Sequence, residues 1–159
     1  MPKIHWLGTG LSAIPGLKML IENGHSVAVY NRTVDKAIEA LSGVDGDYQV
    51  IPFSLEAVKK YASAGDVVVS MLPGNFHVPV AELCISLDAH FVSSSYISDE
   101  MRDLNNAAKG KNLCLVNEVG LDPGIDHSMS HALVEEYRSS SVFSKENSHS
   151  FLSYCGGLS

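Results

Sequence analysis

The chain has 159 residues, 45% of them hydrophobic and 18% charged, with a formal net charge of −7. That length is one domain's worth, able to bury roughly 70% of its unfolded surface, and the composition is that of a globular chain rather than a disordered one. The acidic balance argues against nucleic acid or an anionic membrane surface as a partner. It leaves room for a nucleotide, because a local backbone pocket can bind phosphate on an acidic protein.

Strand-like and helix-like stretches alternate from the start. Ile4 to Leu7 is a short apolar run ending at glycine. Leu11 to Glu22 carries Leu11, Ile14, Leu17, Leu20 and Ile21 at helical spacing and stops at Asn23-Gly24, a C-terminal signal. Ser26 to Tyr30 reads as a second strand. Thr33 opens a helix with Ala37, Ile38 and Leu41 on one face, ending near Gly43. Tyr48 to Ile51 is a third strand, and Ser54 caps a helix through Tyr61. Asp66 to Ser70 is apolar without alternation, as expected of a strand covered on both faces. A helix from about Asn75 to Leu87, a strand from Ala89 to Val92, a helix from Asp99 to Ala108 and a strand from Leu113 to Val116 complete the series. This order predicts an α/β fold, a doubly wound parallel sheet of the Rossmann NAD(P)-binding type, over residues 1–138. The polar stretch Ser139 to Ser150 reads as a connection, and Phe151 to Cys155 as a strand that begins something new.

Gly8-Thr9-Gly10-Leu11-Ser12-Ala13 follows the first strand and opens the first helix. The dinucleotide fingerprint needs one glycine for the tight turn, a second to admit a pyrophosphate, and a small third residue, here Ala13, for close packing of helix on strand. The helix N-terminus offers amide protons and partial positive charge to the phosphates. Pro15 sits where a missing N–H costs least. The alternative is a glycine turn that merely packs. The second strand ends at Asn31-Arg32-Thr33, where the NAD form of the fold has an acidic residue on the ribose 2′-hydroxyl. A guanidinium flanked by two neutral hydrogen-bonding groups suits a 2′-phosphate, so the expected cofactor is NADP. The alternative is a solvated arginine at a helix start.

The loops after later strands border the same crevice. Leu72 and Pro73 should lie against the ribose or nicotinamide. His77 is either a polar group at the reacting centre or a histidine in the first turn of a helix. Ser93-Ser94-Ser95-Tyr96 supplies hydrogen-bonding ligands, a helix N-terminus, or both, and Glu118 to Asp126 follows the sixth strand.

FVSSSYIS, NEVGLDPGIDH and SFLSYCGGL closely resemble the saccharopine dehydrogenase/reductase family, in particular its NADP-dependent, L-glutamate-forming branch. The likeness runs over nearly the whole chain. It implies reversible hydride transfer at a secondary amine: oxidation of saccharopine to an imine, whose hydrolysis yields L-glutamate and 2-aminoadipate 6-semialdehyde, a step of lysine metabolism. Carried over position by position, it implies cofactor contacts at Thr9 to Ser12, Asn31 to Thr33 and Leu72-Pro73. It implies substrate contacts at Ser95 and Tyr96, with Asp122 lining the site near the nicotinamide. Asp122 and His77 are the candidate catalytic residues. Asp122 and Asp126 have a structural alternative, since an acid near Pro-Gly often caps the next helix.

Family members are longer and continue into a substrate-binding domain. A substrate with several carboxylates needs cationic ligands, yet the arginines here are Arg32, Arg102 and Arg138 alone. The expectation is therefore a cofactor-binding part, with residues 139–159 forming the connection and first strand of a substrate domain absent from the chain. Two other readings stay open: a non-catalytic NADP-binding or sensor module, and a related dehydrogenase acting on carboxynorspermidine or lysine. Cys84, Cys114 and Cys155 are odd in number and lack metal-ligand spacing. Together with the lack of a leader-like N-terminus, they suggest the cytoplasm and no bound metal. No apolar run approaches the ~18 residues of a membrane span. Apolar surface left by a missing domain would favour a homodimer.

Overall fold

The computed structural model describes residues 2–154. Six strands form one parallel sheet: β1 (Ile4–Leu7), β2 (Val27–Asn31), β3 (Tyr48–Pro52), β4 (Val67–Ser70), β5 (His90–Ser93) and β6 (Leu115–Val116). Their spatial order is β3-β2-β1-β4-β5-β6. The reversal between β1 and β4 is the topological switch point at which doubly wound sheets open a ligand crevice beyond their carboxyl ends.

Alternation along the central strands assigns each face its helices. Trp6, Val27 and Val29 pack with Leu17 and Ile21 of α1 (Ile14–Glu22) and with Ala37 of α2 (Val34–Ala40). Leu7, Ala28, Tyr30, Val68 and Phe91 face the other way. They pack with Val58 of α3 (Leu55–Tyr61), with Val80, Ala81 and Cys84 of α4 (His77–Ser86), and with Met101 of α5 (Asp99–Asp103). Leu104 ends that short helix and starts α6 (Asn105–Gly110), and α7 (Ile125–Arg138) follows the loop after β6. The Ser54 hydroxyl accepts from Ala57 N at 3.0 Å, the expected cap of α3.

Several sequence expectations need correction. The first helix begins at Ile14, because residues 11–13 form a turn with Pro15 just inside the helix; Leu11 is left 93% exposed instead of joining the core. Ile38 is 54% exposed. At 100° per residue it falls off the stripe that Ala37 and Leu41 share. The helix expected from Asn75 starts as a 3₁₀ turn at Gly74–Phe76 before α4. The helix expected from Asp99 to Ala108 is two short ones. Residues 151–154 form no strand: Phe151, Leu152 and Tyr154 are exposed, and they line a concave region with Met129 and Leu133 of α7 instead of joining a ladder. Cys155, the rest of that expected strand, lies outside the described residues. Ile125, Met129 and Leu133, spaced four residues apart along α7, are all exposed, so this helix presents an uncovered stripe. No helix among the described residues is long and apolar enough to cross a membrane.

Candidate functional site

Ladder register sets the site's floor. Ile51 pairs with Tyr30, Tyr30 with Leu7, Leu7 with Ser70 and Ser70 with Ser93, one row running across five strands near their carboxyl ends. The loops that leave this row hold Gly8 to Ala13, Asn31 to Thr33, Leu72-Pro73 and Ser95-Tyr96. The structure therefore brings every one of these sequence-nominated residues to the same edge of the sheet.

The turn after β1 is held from below. Gly8 N donates to Tyr30 O at 2.8 Å, and the Trp6 indole donates to Gly8 O at 2.9 Å. Gly8 has φ +97°, and a Cβ there would meet Met71 O at 2.9 Å, so both conformation and packing demand glycine. Gly10 differs. Nothing lies within 4 Å of where its Cβ would be. The fold itself does not require glycine at this position, so the cradle it leaves open fits the close approach of a pyrophosphate. Ala13 is buried and donates to Gly10 O at 2.9 Å. Among the described residues, the amides of Thr9, Gly10, Leu11 and Ser12 donate to no backbone carbonyl. Beyond them α1 presents its N-terminus, which favours an anion.

At the neighbouring strand end, the Asn31 amide donates to Thr33 O at 2.8 Å and shapes the turn. Thr33 takes the N-cap place of α2 without its side chain capping, and Arg32 is exposed. Among the described residues the guanidinium has no ion-pair partner. On the far side of β1, Leu72 is half-buried against the Gly8 turn and Pro73 is exposed.

Beyond β4 and β5 the site becomes polar. His77 is the first residue of α4 and is buried against Phe91. Its Nδ1 lies 3.0 Å from Ser70 Oγ and its Nε2 2.8 Å from Ser95 Oγ. Burial pushes its pKa below the ordinary histidine value. Ser93 Oγ accepts from Ser95 N at 3.0 Å. The serines do not cap the next helix; Ser98 does, accepting from Met101 N at 3.2 Å.

The loop after β6 is stitched to the loop after β5. Glu118 N donates to Ser95 O at 3.1 Å, Ile97 N donates to a Glu118 carboxylate oxygen at 3.1 Å, and the Tyr96 hydroxyl donates to Asp122 at 2.5 Å. Asp126 accepts from Gly124 N at 2.8 Å and pairs with His127 at 3.1 Å. Asp126 therefore serves the start of α7, whereas Asp122 turns towards Tyr96. Donating to the Asp126 carboxylate raises the pKa of exposed His127. Sequence reasoning missed the clasp made by Glu118, although the residue stands in the NEVGLDPGIDH segment, and the bridge made by Ser70, because both contacts join separate strand ends across the sheet. Concave regions of about 460 and 820 Å³ flank α7, and Asp122 and Asp126 line the smaller one.

Comparisons with known proteins bear on the family and the fold. Residues 4–116 match the family model described as the saccharopine dehydrogenase NADP binding domain. A saccharopine dehydrogenase [NADP(+), L-glutamate-forming] of Pyricularia oryzae is 36% identical over 157 residues, covering 96% of this chain and 33% of its own length. An alpha-aminoadipic semialdehyde synthase of Arabidopsis thaliana is 37% identical over 131 residues, 82% of this chain and 12% of its own. Among solved structures, the apo saccharopine dehydrogenase (L-Glu forming) of Saccharomyces cerevisiae superposes with a TM-score of 0.72 at 28% identity, covering 87% of this chain and 32% of that one. The chain thus spans about a third of the length of the curated saccharopine dehydrogenases it matches.

Proposed function

The chain belongs to the family of saccharopine dehydrogenase NADP-binding domains, with NADP as its cofactor, and from that premise we propose that it is the cofactor-holding part of an oxidoreductase acting on saccharopine. The observation that carries the reading is the open cradle at Gly10, set at the switch point of the sheet beside the N-terminus of α1. Gly8, Thr9, Gly10, Leu11, Ser12 and Ala13 form the pyrophosphate turn. Asn31, Arg32 and Thr33 meet the 2′-phosphate, and Leu72 and Pro73 border the nicotinamide side.

Bound NADP supplies a hydride acceptor. The secondary amine's carbon loses hydride and becomes an imine carbon; water then adds, the C–N bond breaks, and L-glutamate and 2-aminoadipate 6-semialdehyde separate. The chain's own part is to orient. Ser95 and Tyr96 touch the substrate from the β5 side, and Asp122, held by Tyr96, faces the polar end of the crevice. The substrate domain begins in residues 139–159, and the uncovered stripe of α7 fits a partner surface, a second copy included. Buried Cys84, its thiol pushed up to about 12 by burial, is unreactive and suits the cytoplasm.

Fluorescence titration tests the cofactor half. NADPH is expected to bind about ten- to a hundred-fold tighter than NADH, the worth of a charge-assisted hydrogen bond of roughly 1.5–3 kcal/mol. Arg32→Ala should close most of that gap. Equal affinities in the unaltered chain would refute the role of Arg32. Saccharopine-dependent reduction of NADP tests the other half, and its absence in a protein that carries the whole reading frame would favour a cofactor sensor.

A further inference from the structure

His77 engages both ring nitrogens with serine hydroxyls, and the two serines are not equivalent. A neutral imidazole has one N–H donor and one bare acceptor nitrogen. Ser70, the last residue of β4, is fully buried, and among the described residues its hydroxyl meets His77 Nδ1 alone. A serine oxygen always carries a proton, and a buried one needs an acceptor for it. Were Nδ1 protonated, Ser70 would have to accept, and its own proton would face apolar surroundings with no acceptor. Ser70 therefore donates to Nδ1. The ring proton then sits on Nε2 and is donated across 2.8 Å to Ser95 Oγ.

That arrangement gives Ser95 a polarity. Its oxygen is occupied as an acceptor from below, so its own proton is left to donate upward. Ser95 is half-buried at the carboxyl end of β5, and its backbone is held by Ser93 and Glu118. We propose that Ser70, acting through a locked Nε2–H tautomer of His77, fixes the Ser95 hydroxyl as a donor to a carboxylate oxygen of the substrate. His77 is then a positioning residue, and no proton passes from it to the substrate. This rests on the reading above that Ser95 lines the substrate side of the crevice. Burial keeps the ring neutral at neutral pH, the condition under which the tautomer matters.

Long-range proton–nitrogen correlation on the chain labelled with ¹⁵N-histidine reads the tautomer directly. The expected result is a His77 ring with bare Nδ1 and protonated Nε2, favoured by at least about fivefold, the worth of one buried unsatisfied hydroxyl. Ser70→Ala, with a native amide spectrum, should release the lock and bring the two tautomers to comparable populations. A wild-type ring protonated on Nδ1, or a Ser70→Ala ring unchanged from wild type, overturns the proposal. Glutarate, a dicarboxylate probe added to the NADP-loaded chain, should move the His77 Nε2 resonance in wild type and leave Ser95→Ala unmoved. No shift in wild type also overturns it. Failure of NADPH itself to bind would sink the parent reading while the ring result stood, so the two failures are distinct.

Discussion

Two glycines in one turn are demanded by different things, and substitution separates them. Gly8 is required by the fold: its left-handed backbone and the nearby Met71 carbonyl both exclude a side chain. Gly8→Ala should lower stability by about 1–3 kcal/mol, the usual cost of a non-glycine residue held in such a conformation, read as a drop in the urea midpoint. Gly10 is not required by the fold, and on the proposed reading it is the ligand that demands it. Gly10→Ala meets open space, so its melting temperature should stay near that of the parent. Its NADPH affinity should fall by about tenfold or more, the loss of one charge-assisted contact. A Gly10→Ala variant that binds NADPH normally would remove the pyrophosphate from this turn. Both glycines were legible as a motif in the sequence. Their division of labour was not, because it depends on Met71, sixty-odd residues away along the chain.

Among the elements, those with a core to face were the legible ones. The runs at 4–7 and 67–70 are strands covered on both faces; Val67 to Val69 show it as unbroken hydrophobicity, whereas His5 interrupts the first run and is buried all the same. Ser54 announced α3 through its hydroxyl. Ser54→Ala should cost about 1 kcal/mol in a denaturant melt, and a variant of unchanged midpoint would show that the cap bond contributes nothing. Elements whose partners are remote in sequence were harder to read. The break at Leu104 is hard to read because α5 and α6 each bury one residue, Met101 and Ala108, at the seven-residue spacing that a single continuous helix would also show. Residues 151–154 have strand-forming side chains but lie beside α7 and pair with no strand. Of the candidate site, the glycine turn at Gly8 to Ala13 and the loop at Arg32 were placed at the strand ends by local spacing alone. The Ser70–His77–Ser95 bridge joins three strand ends or helix starts and is written in no single stretch.

The molecule as a whole carries two buried histidines on the α3–α4 face of its sheet. His5 bonds the Tyr30 hydroxyl at 2.9 Å and Asp66 at 3.1 Å. Burial lowers its pKa, with Asp66 opposing, and burial lowers that of His77. The unfolded chain binds protons at these rings more readily than the folded one. Their contribution to stability is therefore complete above the ordinary value of 6.5 and is lost as pH falls below it. The melting temperature should hold steady from pH 8 to about 7 and decline through the window below about 6.5. His77→Gln should flatten part of that decline, and a parallel slope in the variant would show that His77 plays no part in it. The register row at the carboxyl edge has a further consequence. Tyr30 and Ser93 sit three strand spacings apart, about 14 Å, with Leu7 and Ser70 fixed between them. Loops anchored so far apart on a rigid ladder are free to diverge separately. On the proposed reading, exchanging Arg32 to retune the choice of nucleotide need not disturb the loop that carries Ser95, and changes at Ser95 need not loosen the turn at Gly8 to Ala13.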